Sequence, residues 1–98
     1  MFFIKNSCPI CQTGILGVRQ CADGKNLVVM CDECETVWAS PEHISISNAL
    51  DVSPPKFEVA KLGVFVAGGL SKWADHEEID TWGWGNYVKG EQFAHLLK

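Results

Sequence analysis

Two pairs of cysteines constrain the fold of this chain more than any other feature. Cys8 and Cys11 are separated by two residues, Cys31 and Cys34 are spaced in the same way, and 19 residues lie between the pairs. Two intervening residues let a tight turn direct both thiolates of a pair to one point, and four thiolates at about 2.3 Å complete a tetrahedral site. We therefore predict that these four cysteines bind one Zn²⁺ ion. The ion is expected to be structural, because four protein ligands leave no position for water or a substrate.

The segment between the two pairs has the pattern of a β-hairpin. Residues 14–21 and 26–30 are rich in β-branched and other apolar side chains, and Asp23-Gly24 lies between them. Glycine tolerates the positive φ that a tight hairpin turn requires, so this dipeptide is a strong turn signal. Residues 35–38 predict a third short strand. It should end before Pro41, because proline has no N–H to donate to a strand ladder.

Two cysteine turns that flank a hairpin, followed by a third strand, resemble the zinc ribbons, which share a rubredoxin-like fold with four cysteine ligands. The resemblance covers about residues 4–40 and implies a β-rich scaffold built around a structural metal. It implies little about activity, because one scaffold hosts many functions. The remainder of the chain resembles no particular family.

The cysteines also have other interpretations. Two disulfide bonds would require an oxidising compartment and would leave Cys21 unpaired. Iron is a second alternative, but in rubredoxins a glycine usually follows each cysteine turn, whereas Gln12 and Glu35 stand at those places here and favour zinc. An iron electron carrier is therefore kept as an alternative function. Cys21 is predicted to be a free cysteine, packed or half-exposed, near the far end of the hairpin, with a redox or catalytic thiol as the alternative.

The composition of the chain changes near Ser53-Pro54-Pro55. All five cysteines precede this point, and three of the four tryptophans follow it. We predict a small α+β protein in which residues 1–40 form a β-rich zinc ribbon, a hairpin plus a third strand. Residues 41–98 are predicted to form a short, aromatic-rich α+β extension that packs on the ribbon.

The second half gives weaker signals for its individual elements. Residues 58–66 favour a strand, with a short helix interrupted at Gly63 as the alternative. Asp75 and Glu78 have the spacing of a capping box, which marks the start of a helix. The remaining predictions are a helix over residues 76–82 that ends at Gly83, extended backbone over residues 86–88, and a terminal helix over residues 91–97.

Aromatic residues lie beside an acidic run at residues 75–80. They can form the core of the second half, or one or two of them can be exposed for recognition, since tryptophan is enriched at binding hot spots. Acidic neighbours favour a protein partner, a basic one in particular, over a nucleic acid. The candidate partner-binding residues are Trp73, Asp75, Glu77, Glu78, Trp82 and Trp84.

The charge of the chain also disfavours nucleic acid. Eight Lys and Arg residues against twelve Asp and Glu residues give a formal net charge of −4, and a phosphate backbone is repelled by a negative surface. We predict a protein-binding module, either an adaptor or an inhibitor, with a nucleic-acid-binding zinc ribbon as the alternative. An enzyme is not expected, because no nucleophile, base and orienting group can be assembled with motif support.

The location of the protein is predicted from what the sequence lacks. Residues 1–5 place apolar side chains ahead of the first lysine, which is the reverse of a signal peptide. The most apolar later segment, residues 62–70, is nine residues long, whereas a membrane-spanning helix needs about 20. We expect a cytoplasmic protein with no membrane segment, a setting in which paired cysteines more often bind metal than form disulfides.

Overall fold

The computed structural model describes residues 1–54 and 57–92, which form a small β-rich protein with an antiparallel sheet and one short helix. The strands of the main sheet are β1 (Phe2–Lys5), β2 (Leu16–Gln20), β3 (Leu27–Cys31), β4 (Val37–Trp38), β7 (Lys72–Trp73) and β8 (Gly90–Glu91). Their order across the sheet is β4-β3-β2-β1-β8, and β7 pairs with β2 on the same side as β1. A separate pair consists of β5 (Glu58–Val59) and β6 (Val64–Phe65), and the helices are α1 (His76–Trp82) and a 3₁₀ turn (Gly85–Tyr87).

The predicted hairpin is confirmed as β2 and β3, which pair from Leu16 opposite Cys31 to Gln20 opposite Leu27. Gly24 takes a φ of 71° in the connecting turn. The Asp23 carboxylate accepts hydrogen bonds from the two backbone N–H groups that follow the glycine. All five residues of β3 are buried, so this strand lies at the centre of the protein.

The second half of the chain contributes strands to the same sheet. β7 pairs with the last two residues of β2, and β8 pairs with Phe2 and Phe3 of β1. Arg19 of β2 lies with its guanidinium 5.1 Å from the centre of the Trp73 ring and donates a hydrogen bond to the Val66 carbonyl. Gln20 donates to the Leu70 carbonyl at 2.8 Å. The segment before β7 is thus attached to β2 by side chains as well as by strand pairing.

Apolar side chains form two clusters, and each draws on both halves of the chain. The first includes Leu16, Val18 and Val29 with Ile79 of α1, and the second surrounds Cys21. Buried Trp38 belongs to the first cluster and donates its indole N–H to the Ser45 carbonyl at 2.9 Å. The division into residues 1–40 and 41–98 stays a prediction.

Several predicted elements of the second half differ from the structure. Residues 58–66 form not one strand but the β5–β6 hairpin, because the chain reverses at Gly63, where φ is 66°. Residues 86–87 belong to the 3₁₀ turn instead of extended backbone. Of the predicted terminal helix, residue 91 lies in β8, residue 92 is not helical, and residues 93–97 fall outside the described residues.

The helix itself is confirmed together with its capping box. The Asp75 carboxylate accepts from the Glu78 N–H at 2.8 Å, and Glu78 accepts from the Asp75 N–H at 2.9 Å. Gly83 ends the helix with a left-handed backbone. Within the described part of the chain, no helix combines the length and the apolar character needed to cross a bilayer.

Candidate metal centre

Four cysteine sulfur atoms meet beside the end of the β2–β3 hairpin that is opposite its tight turn. The Sγ atoms of Cys8, Cys11, Cys31 and Cys34 all lie within 4.8 Å of one another. Cys11 and Cys31 are 3.6 Å apart, and Cys8 and Cys34 are 3.8 Å apart. Ligands at about 2.3 Å from one tetrahedral ion would place their sulfurs about 3.8 Å apart, so this geometry could hold one metal ion. All five cysteines are free thiols, which does not fit the disulfide alternative.

Each cysteine pair lies in a tight turn that backbone hydrogen bonds close. Gln12 donates its N–H to the Cys8 carbonyl at 2.9 Å, and Cys31 donates to the Thr36 carbonyl at 3.0 Å. Gln12 and Glu35, which follow the two turns, have φ values of 64° and 62°. This left-handed backbone is the one that glycine favours. Both turns adopt it without glycine, and the choice of zinc over iron stays a prediction.

Hydrogen-bond donors of the two turns point at the sulfur atoms. Such donors stabilise a thiolate and a metal–thiolate bond, because they place partial positive charge beside the anionic sulfur. The backbone donors are the N–H groups of Ile10 to Cys8 (3.3 Å), Gly14 to Cys11 (3.3 Å), and Glu33 and Cys34 to Cys31 (3.4 and 3.5 Å). The Thr13 hydroxyl donates to Cys11 at 3.6 Å, and the Thr36 hydroxyl lies 3.1 Å from the Cys34 sulfur.

The surroundings shift the pKa values of three of these thiols in different directions. Burial raises the pKa of Cys8 and of Cys31. Burial also acts to raise the pKa of Cys11, but hydrogen bonds from Thr13 and Gly14 outweigh it and lower the pKa to about 6. A cation that binds here must therefore displace protons from the buried thiols, while Cys11 is available as a thiolate near neutral pH.

Asp32 connects the second cysteine turn to the base of β2. Its side chain is only 1% exposed, and its carboxylate accepts a hydrogen bond from the Ile15 N–H at 2.8 Å. The Asp32 N–H in turn donates to the Ile15 carbonyl at 3.1 Å. Sequence analysis missed this role, because an acidic residue between two cysteines has the appearance of an ordinary exposed turn residue.

Gly14 allows the two cysteine turns to approach each other. A Cβ atom at this position would lie 2.2 Å from the Cys31 sulfur and 3.0 Å from Cβ of Glu33. The first distance is shorter than real Cβ contacts and the second is tighter than most of them, so a side chain at residue 14 would force the Cys31 sulfur to move. No sequence signal indicates this steric requirement, apart from the presence of a glycine three residues after Cys11.

Cys21 lies apart from the cysteine group and packs in the second apolar cluster with Val28, Met30 and Val59. It is completely buried. Burial, assisted by the charge of Asp23 and opposed by Arg19, raises its pKa to about 11. A thiol that is buried and protonated is inert. The prediction of a free cysteine is confirmed, and the structure shows that Cys21 is packed and not half-exposed.

The structure brings four of the six candidate partner-binding residues into one place. Asp75, Glu77, Glu78 and Trp82 line a groove of about 300 Å³ together with Leu27 and other residues of the hairpin end. Trp82 is 41% exposed.

The other two candidates lie outside the lining of this groove. Trp84 is half-buried and contacts Trp82 edge to face, with ring centres 6.1 Å apart. Trp73 is half-buried beneath Arg19. The role of all six residues in partner binding stays a prediction.

Comparisons with known proteins give one relative of unknown role. The uncharacterized protein L48 of Acanthamoeba polyphaga mimivirus is 29% identical to this chain over 93 residues, which cover 89% of this chain and 78% of the viral protein. No family model matches the chain. No solved structure matches it either.

Replacing Gly14 by alanine is expected to weaken metal binding by roughly tenfold or more, as loss of a supporting residue around a metal site typically does. The added methyl group must push Cys31 out of the cysteine group. The control is Gly63→Ala, which strains a left-handed turn but has nothing within 4 Å of its added methyl group. Competition with a chromophoric chelator measures both affinities; equal affinities would contradict the steric argument.

Asp32 gives a second prediction for the same site. Asp32→Ala removes the acceptor for the Ile15 N–H, and we expect roughly tenfold weaker metal binding together with lower thermal stability. Asp32→Asn keeps an acceptor oxygen and should retain most of the affinity. If the two variants lose affinity to the same extent, the charge of Asp32 matters and not its hydrogen bond.

Proposed function

We propose that this chain is a protein-binding module whose fold is stabilised by one structural Zn²⁺ ion bound to Cys8, Cys11, Cys31 and Cys34. The observation that carries the proposal is the convergence of four sulfur atoms within 4.8 Å. Four thiolates satisfy a tetrahedral ion completely, so such an ion stabilises the fold and offers no position for catalysis. We therefore propose that the metal itself has no catalytic role.

Zinc is proposed over iron because Gln12 and Glu35 follow the two cysteine turns, where rubredoxins usually have glycine, although both metals accept four thiolates in this geometry. The rubredoxin-like electron carrier is the alternative, and identification of the bound metal decides between the two. Five unpaired cysteines fit a reducing compartment, in which disulfides are rare. We therefore propose a cytoplasmic location.

The partner is proposed to be a protein with a basic segment. Three carboxylates and the exposed Trp82 line the same groove, which provides an apolar contact surrounded by negative charge. Lys72 forms ion pairs with Asp75 (3.8 Å) and Glu78 (3.2 Å), but Glu77 takes part in none of the ion pairs among the described residues. Glu77 is therefore the carboxylate most available to a cation of the partner.

Nucleic acid is the less favoured partner because of where the hairpin cations lie. Arg19 is half-buried, stacks on Trp73 and donates to the Val66 carbonyl. Lys25 is exposed and lines the same groove as Glu77. The two cations of the hairpin therefore lie apart from each other in different surroundings, whereas binding of a phosphate backbone requires a clustered basic face.

The metal proposal predicts that the purified protein contains one zinc per chain and unfolds when a strong chelator removes it. Binding of a structural zinc supplies on the order of 10 kcal/mol that becomes folding free energy. Each of Cys8→Ser, Cys11→Ser, Cys31→Ser and Cys34→Ser should lose the metal, and Cys21→Ser should keep it. Elemental analysis and circular dichroism measure both effects. Stoichiometric iron and a red solution would support the electron carrier instead.

The partner proposal predicts that an arginine- and leucine-rich peptide binds the metal-loaded protein through the groove. The double variant Glu77→Gln/Trp82→Ala should bind this peptide about tenfold more weakly, since hot-spot aromatics carry much of the binding energy at interfaces. The matched control is Asp51→Asn, which removes the same charge from an exposed residue outside the groove. Titration followed by tryptophan fluorescence measures the affinities. An equal loss in both variants would indicate unspecific charge attraction.

A further inference from the structure

A second concavity of the opposite charge lies elsewhere on the protein. It is a cleft of about 720 Å³ between β1, the loop that begins at Pro41, and the 3₁₀ turn. The volume is that of a small-molecule site, which typically measures about 300–1,000 Å³. The cleft shares no lining residue with the acidic groove and none with the cysteine group.

Polar side chains from segments far apart in the sequence line this cleft. Lys5 and Lys89 supply two positive charges, Asn6 and Asn86 supply two amides, and Tyr87 supplies a phenol. Within residues 1–54 and 57–92, none of these five side chains forms a hydrogen bond or an ion pair with the protein. None of the described residues occupies their donors, so these donors can bind a ligand.

The pairing of β1 with β8 brings the two lysines to the same cleft. Lys89 directly precedes β8 and donates its N–H to the Phe3 carbonyl of β1 at 2.8 Å, and Phe3 lies two residues before Lys5 on that strand. Glu42 is the carboxylate among the residues that line the cleft, and it forms an ion pair with neither lysine. The charged groups that line the cleft therefore leave an excess of one positive charge.

The geometry points to a binding site for a small organic phosphate of mononucleotide size. A phosphate monoester carries up to two negative charges, which match the two lysines, and lysine is a common point-charge ligand for phosphate. The half-buried Tyr87 ring offers a surface on which a planar base stacks. The two amides both donate and accept hydrogen bonds, as the edges of a base require. Ile4 and Ile44 supply the apolar part of the cleft.

The test uses the metal-loaded full chain, with the four nucleoside monophosphates as probes and calorimetry at low ionic strength as the measurement. We expect at least one of them to bind at about 1 mM or tighter, which is within the range of weak specific affinities. The corresponding nucleoside and inorganic phosphate should bind more weakly, because each lacks half of the contacts. Amide shifts in NMR spectra should be largest at residues 4–6 and 86–89.

Three variants distinguish this site from unspecific attraction. Lys5→Gln/Lys89→Gln should weaken binding of the nucleotide by about tenfold or more, because each removes a charge-assisted hydrogen bond. Lys25→Gln removes the same kind of charge outside the cleft and should have no effect. Glu42→Gln should strengthen binding, because it removes a negative charge beside the phosphate.

Four outcomes would overturn the assignment. The first is that none of the four nucleotides binds, and the second is that a nucleoside binds as tightly as its monophosphate. The third is that Lys25→Gln loses as much affinity as the double variant. The fourth is that a dicarboxylate such as glutarate binds as tightly as the nucleotide. The lysines are exposed, so their replacement should leave metal content and circular dichroism unchanged. The site does not depend on the proposed protein partner, and each can fail without the other.

Discussion

The pairing of β2 with β3 is the contact on which the rest of the structure depends. β1 and β7 pair with β2, and β4 pairs with β3. Because successive residues of a strand point to opposite faces, a shift of the hairpin by one residue would turn Val18 and Val29 away from the first apolar cluster. The same shift would move Cys31 away from Cys8 and Cys11. The core and the cysteine group therefore require one and the same register.

A metal ion in the cysteine group would offset the weakness of the outer strands. β4, β7 and β8 each contain two residues, and strands this short have little stability of their own. The second cysteine turn is hydrogen-bonded to the base of β2 through Asp32 and Ile15, and to the segment before β4 through Thr36. Fixing the position of Cys31 thus orders the ends of several strands at once.

The sequence predicts those parts of the structure that depend on neighbours along the chain. The cysteine turns, the hairpin and the capped helix each depend on residues a few positions apart, so spacing and turn chemistry reveal them. β7 and β8 are missed because two residues show no alternation and their partners lie far away in the sequence. Gly14 and Asp32 are missed for a related reason, since their roles arise only when the two cysteine turns meet in space.

The distribution of charge over the surface cannot be predicted from the composition alone. A net charge of −4 predicts a negative surface, but at an ionic strength near 0.1 M charges act over only about 10 Å, so a ligand responds to the local field. Folding pairs Lys72 with Asp75 and Glu78 and leaves Arg19 half-buried. It also brings Lys5 and Lys89 to one cleft. Sheet topology, which a net charge does not describe, therefore gives a negative chain one concavity lined by three carboxylates and another lined by two lysines.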